Sequence, residues 1–131
     1  MMKLALKLKR ERRCNMEFVL FLDLDNLDYY GDIPEIPKNR DGRVEVFPLN
    51  NQWEDADLFL DDLDEIDRRC DALLGYGDVD FFNSEKCVKL KAWIDERLQK
   101  PIIERYRELL EVLRSFCERA IVLQTGVVID L

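Results

Sequence analysis

The stretch FVLFLDLD, which begins at Phe18, most constrains how the chain can fold, because its first positions are apolar on both faces of an extended strand. Side chains alternate along a strand, so Phe18 and Leu20 point to one side while Val19 and Phe21 point to the other. Such a strand is covered on both sides, or covered on one side and partly shielded on the other. We therefore predict a central strand over residues 17–24.

Hydrophobic periodicity predicts the other elements. Leucines alternate with Lys and Ala from Lys3 to Lys9, the pattern of a strand with one buried face, and a basic turn would return this strand as a hairpin to the central one. Apolar positions spaced by three and four predict helices after residue 50. The predicted strands are 3–9, 17–24, 43–47 and 127–131, and the predicted helices are 52–74, 85–99 and 101–123.

Capping signals set the predicted helix ends. Asn51 with Glu54 is a capping box, and Gly75 ends the first helix. Ser84 caps the second helix, and Pro101 suits the first position of the third. Residues 120–124 fit either the last turn of that helix or the start of a strand, with the glycine at position 126 as a helix-ending residue.

The order of elements defines the predicted fold class. Three strands come first, three helices follow, and one strand ends the chain. A chain of 131 residues has the length of one domain. We predict a single α+β domain over residues 1–131, with an antiparallel or mixed sheet of about four strands and three helices packed on one face.

Charge narrows the class of partner. The chain carries a net charge of −8, yet residues 1–13 hold six Lys or Arg against one Glu, a net charge of +5, so the remaining residues carry −13. Such an acidic body repels nucleic acid and anionic membranes and attracts cationic proteins. No apolar run approaches the length of a membrane span, and the basic first residues lack the apolar stretch of a secretory signal. We expect a cytoplasmic protein with a protein partner.

Histidine and cysteine usage bears on catalysis. The chain has no histidine, which excludes Ser-His and Cys-His catalysis and histidine-based metal centres. Its cysteines, at positions 14, 70, 87 and 117, include no CxxC pair, so we interpret them as core thiols. We expect a protein that is not an enzyme and that holds no metal and no cofactor.

Residues 54–67, EDADLFLDDLDEID, hold eight acids and no base. On a helix the acids would form a ridge opposite the apolar stripe of Phe59, Leu63 and Ile66. Like charges three and four residues apart repel each other, so the ridge destabilises the free helix modestly. The run is interpreted either as a solvated helix face or as a surface for a basic partner. The ridge residues are Asp57, Asp61, Asp62, Asp64 and Glu65.

A second acidic region follows the central strand. Residues 31–42 contain two prolines and two glycines, which predicts a loop that cannot continue a strand ladder. Aromatic side chains in a loop with charged neighbours are typical interface anchors. Further candidate anchors are Phe81, Phe82 and Trp53. The favoured interpretation is nevertheless a core position for the two phenylalanines and a hydrophobic staple for Trp53. The predicted contact residues of this region are Asp25, Asp28, Tyr29, Tyr30 and Asp32.

The stretch FVLFLDLDN resembles the first motif of haloacid dehalogenase-type phosphatases and, less closely, the opening strand of NYN-type nucleases. This resemblance implies a magnesium-dependent phosphohydrolase or nuclease that uses Asp23 and Asp25. The phosphatase motif has Thr or Val where this chain has Leu27, and those families have parallel sheets, whereas strands cluster at the start of this chain. A solvated strand end is therefore the preferred interpretation, and the enzyme is the alternative.

The closing segment, KPIIERYRELLEVLRSFCERAIVLQTGVVIDL, resembles the carboxyl-terminal pattern of small bacterial toxin-immunity proteins, including those of contact-dependent growth inhibition systems. The resemblance implies a cytoplasmic immunity protein that binds a cognate toxin, often a basic nuclease, and covers its active site. Together with the acidic body, it leads to the hypothesis that both acidic regions dock onto a cationic toxin, with Tyr29 and Tyr30 as apolar anchors.

Overall fold

The computed structural model describes residues 16–37, 42–50, 54–76 and 79–131. Within these ranges the chain forms an α+β fold, as predicted. The predicted strand 3–9 lies outside the described residues. The strands are β1 (Glu17–Phe21), β2 (Tyr29–Tyr30), β3 (Ile33–Pro34), β4 (Val44–Pro48), β5 (Asp80–Asn83) and β6 (Gly126–Asp130). The helices are α1 (Leu63–Cys70), α2 (Ser84–Arg97) and α3 (Glu104–Leu123), with a helical turn at Glu54–Asp57 and 3₁₀ turns at Leu60–Asp62 and Leu74–Tyr76.

Four strands form one antiparallel sheet in the order β4-β1-β6-β5, and β2 pairs with β3 in a separate small hairpin. In the larger sheet Phe18 lies between Phe47 of β4 and Ile129 of β6. All five residues of β1 are buried, which confirms the predicted central strand. Both edges of β1 are paired, one with β4 and the other with β6.

The two faces of β1 are covered by different parts of the chain. Phe18 and Leu20 pack into the larger core with the helices. Val19 and Phe21 pack on the opposite face, against apolar side chains of the segment that follows β1. The three helices thus lie on one face of the sheet, as predicted, and an irregular segment shields the other. The strand itself ends at Phe21 rather than at residue 24, although Leu22 still donates a backbone hydrogen bond to Arg43.

The predicted helix 52–74 is wrong as a single element. It is divided into the turn Glu54–Asp57, a 3₁₀ turn and α1, and its first two positions lie outside the described residues. Asp71 ends α1 in the left-handed conformation with φ +55°, the role predicted for Gly75. At the break, the backbone N–H groups of Leu58, Phe59 and Asp62 donate to carbonyl oxygens three residues back, which is the tighter 3₁₀ pattern. At Asp71 the short polar side chain tolerates the left-handed region.

Strand β5 was not predicted. Phe82 is fully buried in the core on the helix side, whereas Phe81 points to the other face and meets the ring of Phe21 edge-on at 6.1 Å. Both are therefore packing residues, which confirms the favoured interpretation and excludes them as exposed anchors. The side chain of Asn83 accepts a hydrogen bond from the Lys86 backbone N–H and caps α2, so the predicted cap at Ser84 is wrong by one residue.

The third helix begins at Glu104 instead of Pro101, because Ile103 has an extended backbone and occupies the N-cap position. Its end at Leu123 shows that residues 120–123 belong to the helix. Gln124, with φ +56°, is the left-handed residue that ends it. The predicted helix-ending glycine at position 126 instead starts β6, where an added Cβ would lie 2.5 Å from the Phe82 carbonyl oxygen.

Three of the four cysteines lie in the core. Cys70, Cys87 and Cys117 are buried free thiols, which confirms the sequence interpretation for these positions; Cys14 lies outside the described residues. Burial raises the pKa of Cys70 to about 11, so this thiol is not a reactive thiolate. Across the described part of the chain, no helix combines the length and apolar character needed to cross a membrane.

Candidate protein-binding surfaces

The segment after β1, residues 22–37, forms what we call the acidic hairpin. It contains five acids and no Lys or Arg. Its apolar side chains, including Leu27 and Ile33, pack against the sheet face of Val19 and Phe21, which fixes the segment to the body of the protein. The predicted contact residues Asp25, Asp28 and Asp32 are exposed along it.

The tip of the acidic hairpin is a tight two-residue turn. Tyr29 pairs with Pro34 and Tyr30 with Ile33, so Gly31 and Asp32 connect the strands. Gly31 has φ +63°, which the primed turns of two-residue hairpins require at this position. The turn leaves the side chain of Tyr30 81% exposed and that of Tyr29 50% exposed. Two large aromatic side chains therefore project into solvent among carboxylates.

The base of the hairpin holds the aspartate pair of the alternative enzyme hypothesis. A guanidinium nitrogen of Arg43, Nη2, donates to Asp23 Oδ1 at 2.6 Å and to the Asp25 carbonyl oxygen at 2.5 Å. The Asp25 N–H also donates to Asp23 Oδ1 at 3.1 Å. The hydrogen bond from Arg43 lowers the pKa of Asp23. Among the described residues, no three His, Cys, Asp or Glu side chains are grouped in a way that could hold a metal ion.

The acids of residues 54–67, which we call the acidic segment, have a different environment. Asp55 is 1% exposed, and both its oxygens accept hydrogen bonds from Arg105 of α3, at 2.9 and 2.7 Å. Oδ2 also accepts the Asn50 backbone N–H at 2.8 Å. The bonds from Arg105 lower the pKa of Asp55, and the pair connects the start of the segment to the start of α3.

Two members of the predicted ridge are also bound internally. Asp62 Oδ2 accepts the hydroxyl of Tyr106 at 2.6 Å and Nε of Arg97 at 3.1 Å. Glu65 Oε2 accepts the indole N–H of Trp93 at 2.6 Å. Burial, together with the bond to Asp62, raises the pKa of the Tyr106 hydroxyl. These carboxylates satisfy polar groups of largely buried aromatic side chains, which would be costly to leave unpaired.

The last acid of the segment, Asp67, binds the turn that follows α1. The two oxygens of Asp67 accept the backbone N–H groups of Leu74, at 2.8 Å, and Gly75, at 2.7 Å. Burial raises the pKa of Asp67 in spite of these bonds. The carboxylate therefore holds the 3₁₀ turn that follows α1 against the helix.

The remaining ridge residues face solvent. Asp57, Asp61 and Asp64 are exposed, and within the described ranges no hydrogen bond or ion pair joins Asp61 or Asp64 to another side chain. Asp62 and Glu65 are only half-buried. The predicted solvent-facing ridge is thus partly structural, and a continuous free anionic surface is not present there.

The ten predicted contact residues lie in two separate places. The acidic hairpin covers the sheet face of Val19 and Phe21, whereas the acidic segment packs on the face of Phe18 and Leu20. One flat contact patch cannot contain both. The structure places five of them on the acidic hairpin: Asp25, Asp28, Tyr29, Tyr30 and Asp32. The other five lie on the acidic segment: Asp57, Asp61, Asp62, Asp64 and Glu65.

Sequence reasoning missed the groups that bind the acidic segment. Arg105, Tyr106 and Trp93 lie 28 to 50 residues away in the chain from the acids to which they donate. No local pattern connects them. The only available signal was the absence of bases within the segment, which required distant cations if its acids were to be buried.

Comparisons with known proteins identify no relative. No family model, no curated protein and no solved structure matches the chain.

Proposed function

We propose that the protein is an acidic binding protein of the bacterial cytoplasm, an immunity protein that neutralises a cognate cationic toxin domain by direct binding. The observation that carries the proposal is the acidic hairpin. Its tip presents two exposed tyrosines on a segment with five acids and no base. Aromatic side chains that are exposed in the free protein and surrounded by one sign of charge fit the anchor residues of a protein interface.

The two kinds of side chain have different roles in this proposal. The carboxylates Asp25, Asp28 and Asp32 accelerate encounter with a positively charged surface, because long-range attraction acts mainly on the association rate. An exposed charge pair contributes less than about 1 kcal/mol, so the acids alone do not give tight binding. Tyr29 and Tyr30 supply the buried contact area and slow the dissociation.

The attachment of the acidic hairpin to the sheet also suits the hairpin to binding a partner. Leu27 and Ile33 pack against the sheet, and a backbone hydrogen bond of 2.7 Å joins Glu35 N–H to the Asp28 carbonyl oxygen. A loop that is held in this way loses little conformational entropy on binding. The proposed contact therefore combines exposed anchors with a fixed backbone.

The test uses the protein encoded by the neighbouring reading frame as the candidate toxin. Stopped-flow association rates are measured between low and high ionic strength for the wild type and two variants. We expect the wild-type rate to fall at least about tenfold as salt increases. Tyr30→Ala should raise the dissociation rate about thirtyfold, as expected for loss of an anchor of about 2 kcal/mol.

The matched control is Glu111→Gln, which removes one exposed charge from α3, away from the hairpin. It should change neither rate, whereas Asp28→Asn should lower the association rate about twofold. An association rate that is independent of salt, or equal effects of Glu111→Gln and Asp28→Asn, would show that the hairpin charges do not guide binding. Failure of the wild-type protein to protect cells that express the toxin would overturn the immunity function itself.

A further inference from the structure

A groove lies on the helix side of the molecule, where the acidic segment meets the connection between α2 and α3. It consists of two hollows with volumes of about 490 and about 270 Å³. The hollows share Asp62, Arg97 and Pro101 in their walls, so they adjoin each other. The groove is separate from the acidic hairpin, which covers the other face of the sheet.

The larger hollow has an apolar lining. Leu58 and Ile102 are partly buried and pack against the core, and the ring of Tyr106 is almost fully buried beneath them. Ile103 also lines the hollow and is 60% exposed. An aliphatic side chain of this size at a concave surface offers apolar area that a ligand could remove from water.

The charges around the groove are unequal. The described lining residues include four carboxylates, from Asp61, Asp62, Glu65 and Glu96, and the cations Arg97 and Lys100. Arg69 forms ion pairs with Glu65 and Glu96 of the smaller hollow. The excess of negative charge therefore lies at the larger hollow, where Asp61 and Asp62 stand against Arg97. Arg97 is already bound to Asp62 and to the Pro101 carbonyl oxygen, and its guanidinium carbon lies 5.5 Å from the centre of the Tyr106 ring.

Asp61 differs from the other carboxylates of the groove. It is exposed at the rim of the apolar hollow, and no ion pair joins it to another residue of the described part of the chain. Asp62, its sequence neighbour, is instead bound by Tyr106 and Arg97. The apolar hollow therefore has one available negative charge beside it.

We propose that this groove binds a basic amphipathic segment of a protein partner. One aliphatic side chain of the segment packs on Ile103 and Leu58, and a Lys or Arg head group pairs with Asp61. Charge complementarity selects this occupant, because Asp61 at the larger hollow is not paired with a cation of the described residues and would repel an anionic segment. A wholly apolar segment would leave Asp61 without a partner. The inference goes beyond the hairpin contact and does not depend on it.

The test is an NMR titration of the full chain with an acetylated, amidated octapeptide of alternating leucine and lysine. The reporters are the indole N–H of Trp93, which lines the smaller hollow, and the backbone amide of Ile103. We expect saturable shifts at both. Asp61→Lys should weaken binding about fivefold, and Ile103→Ser about threefold, since each removes one weak surface interaction.

Matched controls separate this groove from the hairpin and from non-specific attraction. Tyr30→Ala should leave peptide affinity unchanged, and an octapeptide of alternating leucine and glutamate should not shift either reporter. Asp61 and Ile103 are exposed, so both variants should retain the wild-type unfolding midpoint. Shifts confined to residues 25–33, or an affinity that Asp61→Lys does not change, would overturn the proposal. Concentration-dependent shifts of Ile103 without peptide would assign the groove to a second copy of the chain instead and would overturn it as well.

Discussion

The acidic hairpin and the acidic segment have similar compositions and opposite uses. Residues 22–37 and residues 54–67 each contain several acids and no base. In the hairpin, Asp25, Asp28 and Asp32 are exposed beside two exposed tyrosines. In the segment, Asp55 is buried against a guanidinium, and other acids accept hydrogen bonds from groups of distant helices.

The comparison shows that a run of acids does not by itself indicate a binding surface. Repulsion between neighbouring carboxylates costs a few tenths of a kcal/mol per pair. A charged hydrogen bond to a partly buried donor contributes about 1.5–3 kcal/mol, which is enough to offset that cost. The acidic segment therefore holds its place because α2 and α3 supply the donors, whereas the hairpin carboxylates remain available to a partner.

The largest expected difference between the two regions is in stability. Asp55→Ala should lower the free energy of unfolding by about 2–3 kcal/mol, because the Asn50 N–H loses its acceptor and Arg105 loses two hydrogen bonds and keeps only the one to Glu108. Asp28→Ala, in the hairpin, should leave the unfolding midpoint unchanged. Urea denaturation at pH 7 measures both. Equal midpoints for the two variants would refute the distinction between a structural and an available acidic region.

A sharper comparison lies within the acidic segment, between two adjacent aspartates. Asp62→Ala should cost about 1–2 kcal/mol, because the buried Tyr106 hydroxyl loses its acceptor and Arg97 keeps only its bond to the Pro101 carbonyl oxygen. Asp61→Ala changes the helix propensity by the same amount but removes no bond within the described structure. The difference between their urea midpoints isolates the internal bonds, and a more destabilised Asp61→Ala would contradict the assignment.

Asp55 and Asp67 should change the pH dependence of the unfolding free energy in opposite directions. The pKa of Asp55 is lower in the folded chain, so its contribution is present above the unfolded pKa, near 3.8, and is lost as pH falls through the folded pKa. The pKa of Asp67 is raised, so its contribution is present below about 3.8 and is lost as pH rises through the folded pKa.

Stability measured between about pH 2 and 6 should therefore fall less steeply toward acid in Asp55→Asn and more steeply in Asp67→Asn than in the wild type. One group changes the slope by at most about 1.4 kcal/mol per pH unit. Urea midpoints at each pH give the slopes. Parallel curves for the two variants would show that the acids are not coupled to folding in opposite directions.

The smallest expected effect concerns metal ions at the base of the hairpin. Isothermal titration calorimetry with magnesium or manganese should show no saturable binding, because Arg43 already donates to Asp23 Oδ1 and to the Asp25 carbonyl oxygen. Asp23→Asn should give the same result as the wild type. Saturable binding that disappears in Asp23→Asn would favour the phosphohydrolase or nuclease over the binding protein.

Local sequence patterns predicted the elements whose residues all have the same kind of surroundings, such as β1, in which every residue is buried. β1 was predicted because a strand that is apolar on both faces needs neighbours on both edges and cover on both sides. Strand β5 was missed because it has only four residues, and its phenylalanines pack on opposite faces of a sheet whose other strands come from distant parts of the chain. The tyrosines of the acidic hairpin were predicted as exposed, and they are.

The sequence by itself determined the fold class, the central strand, the acidic charge of the body and the presence of two acidic regions. Only the tertiary structure decided which acids are bound internally and which remain free, and that the two regions lie on opposite faces of the sheet. The physical reason is that charge and periodicity are properties of neighbouring residues. The donors that bind Asp55, Asp62 and Glu65, by contrast, come from helices that approach these acids only when the core is packed.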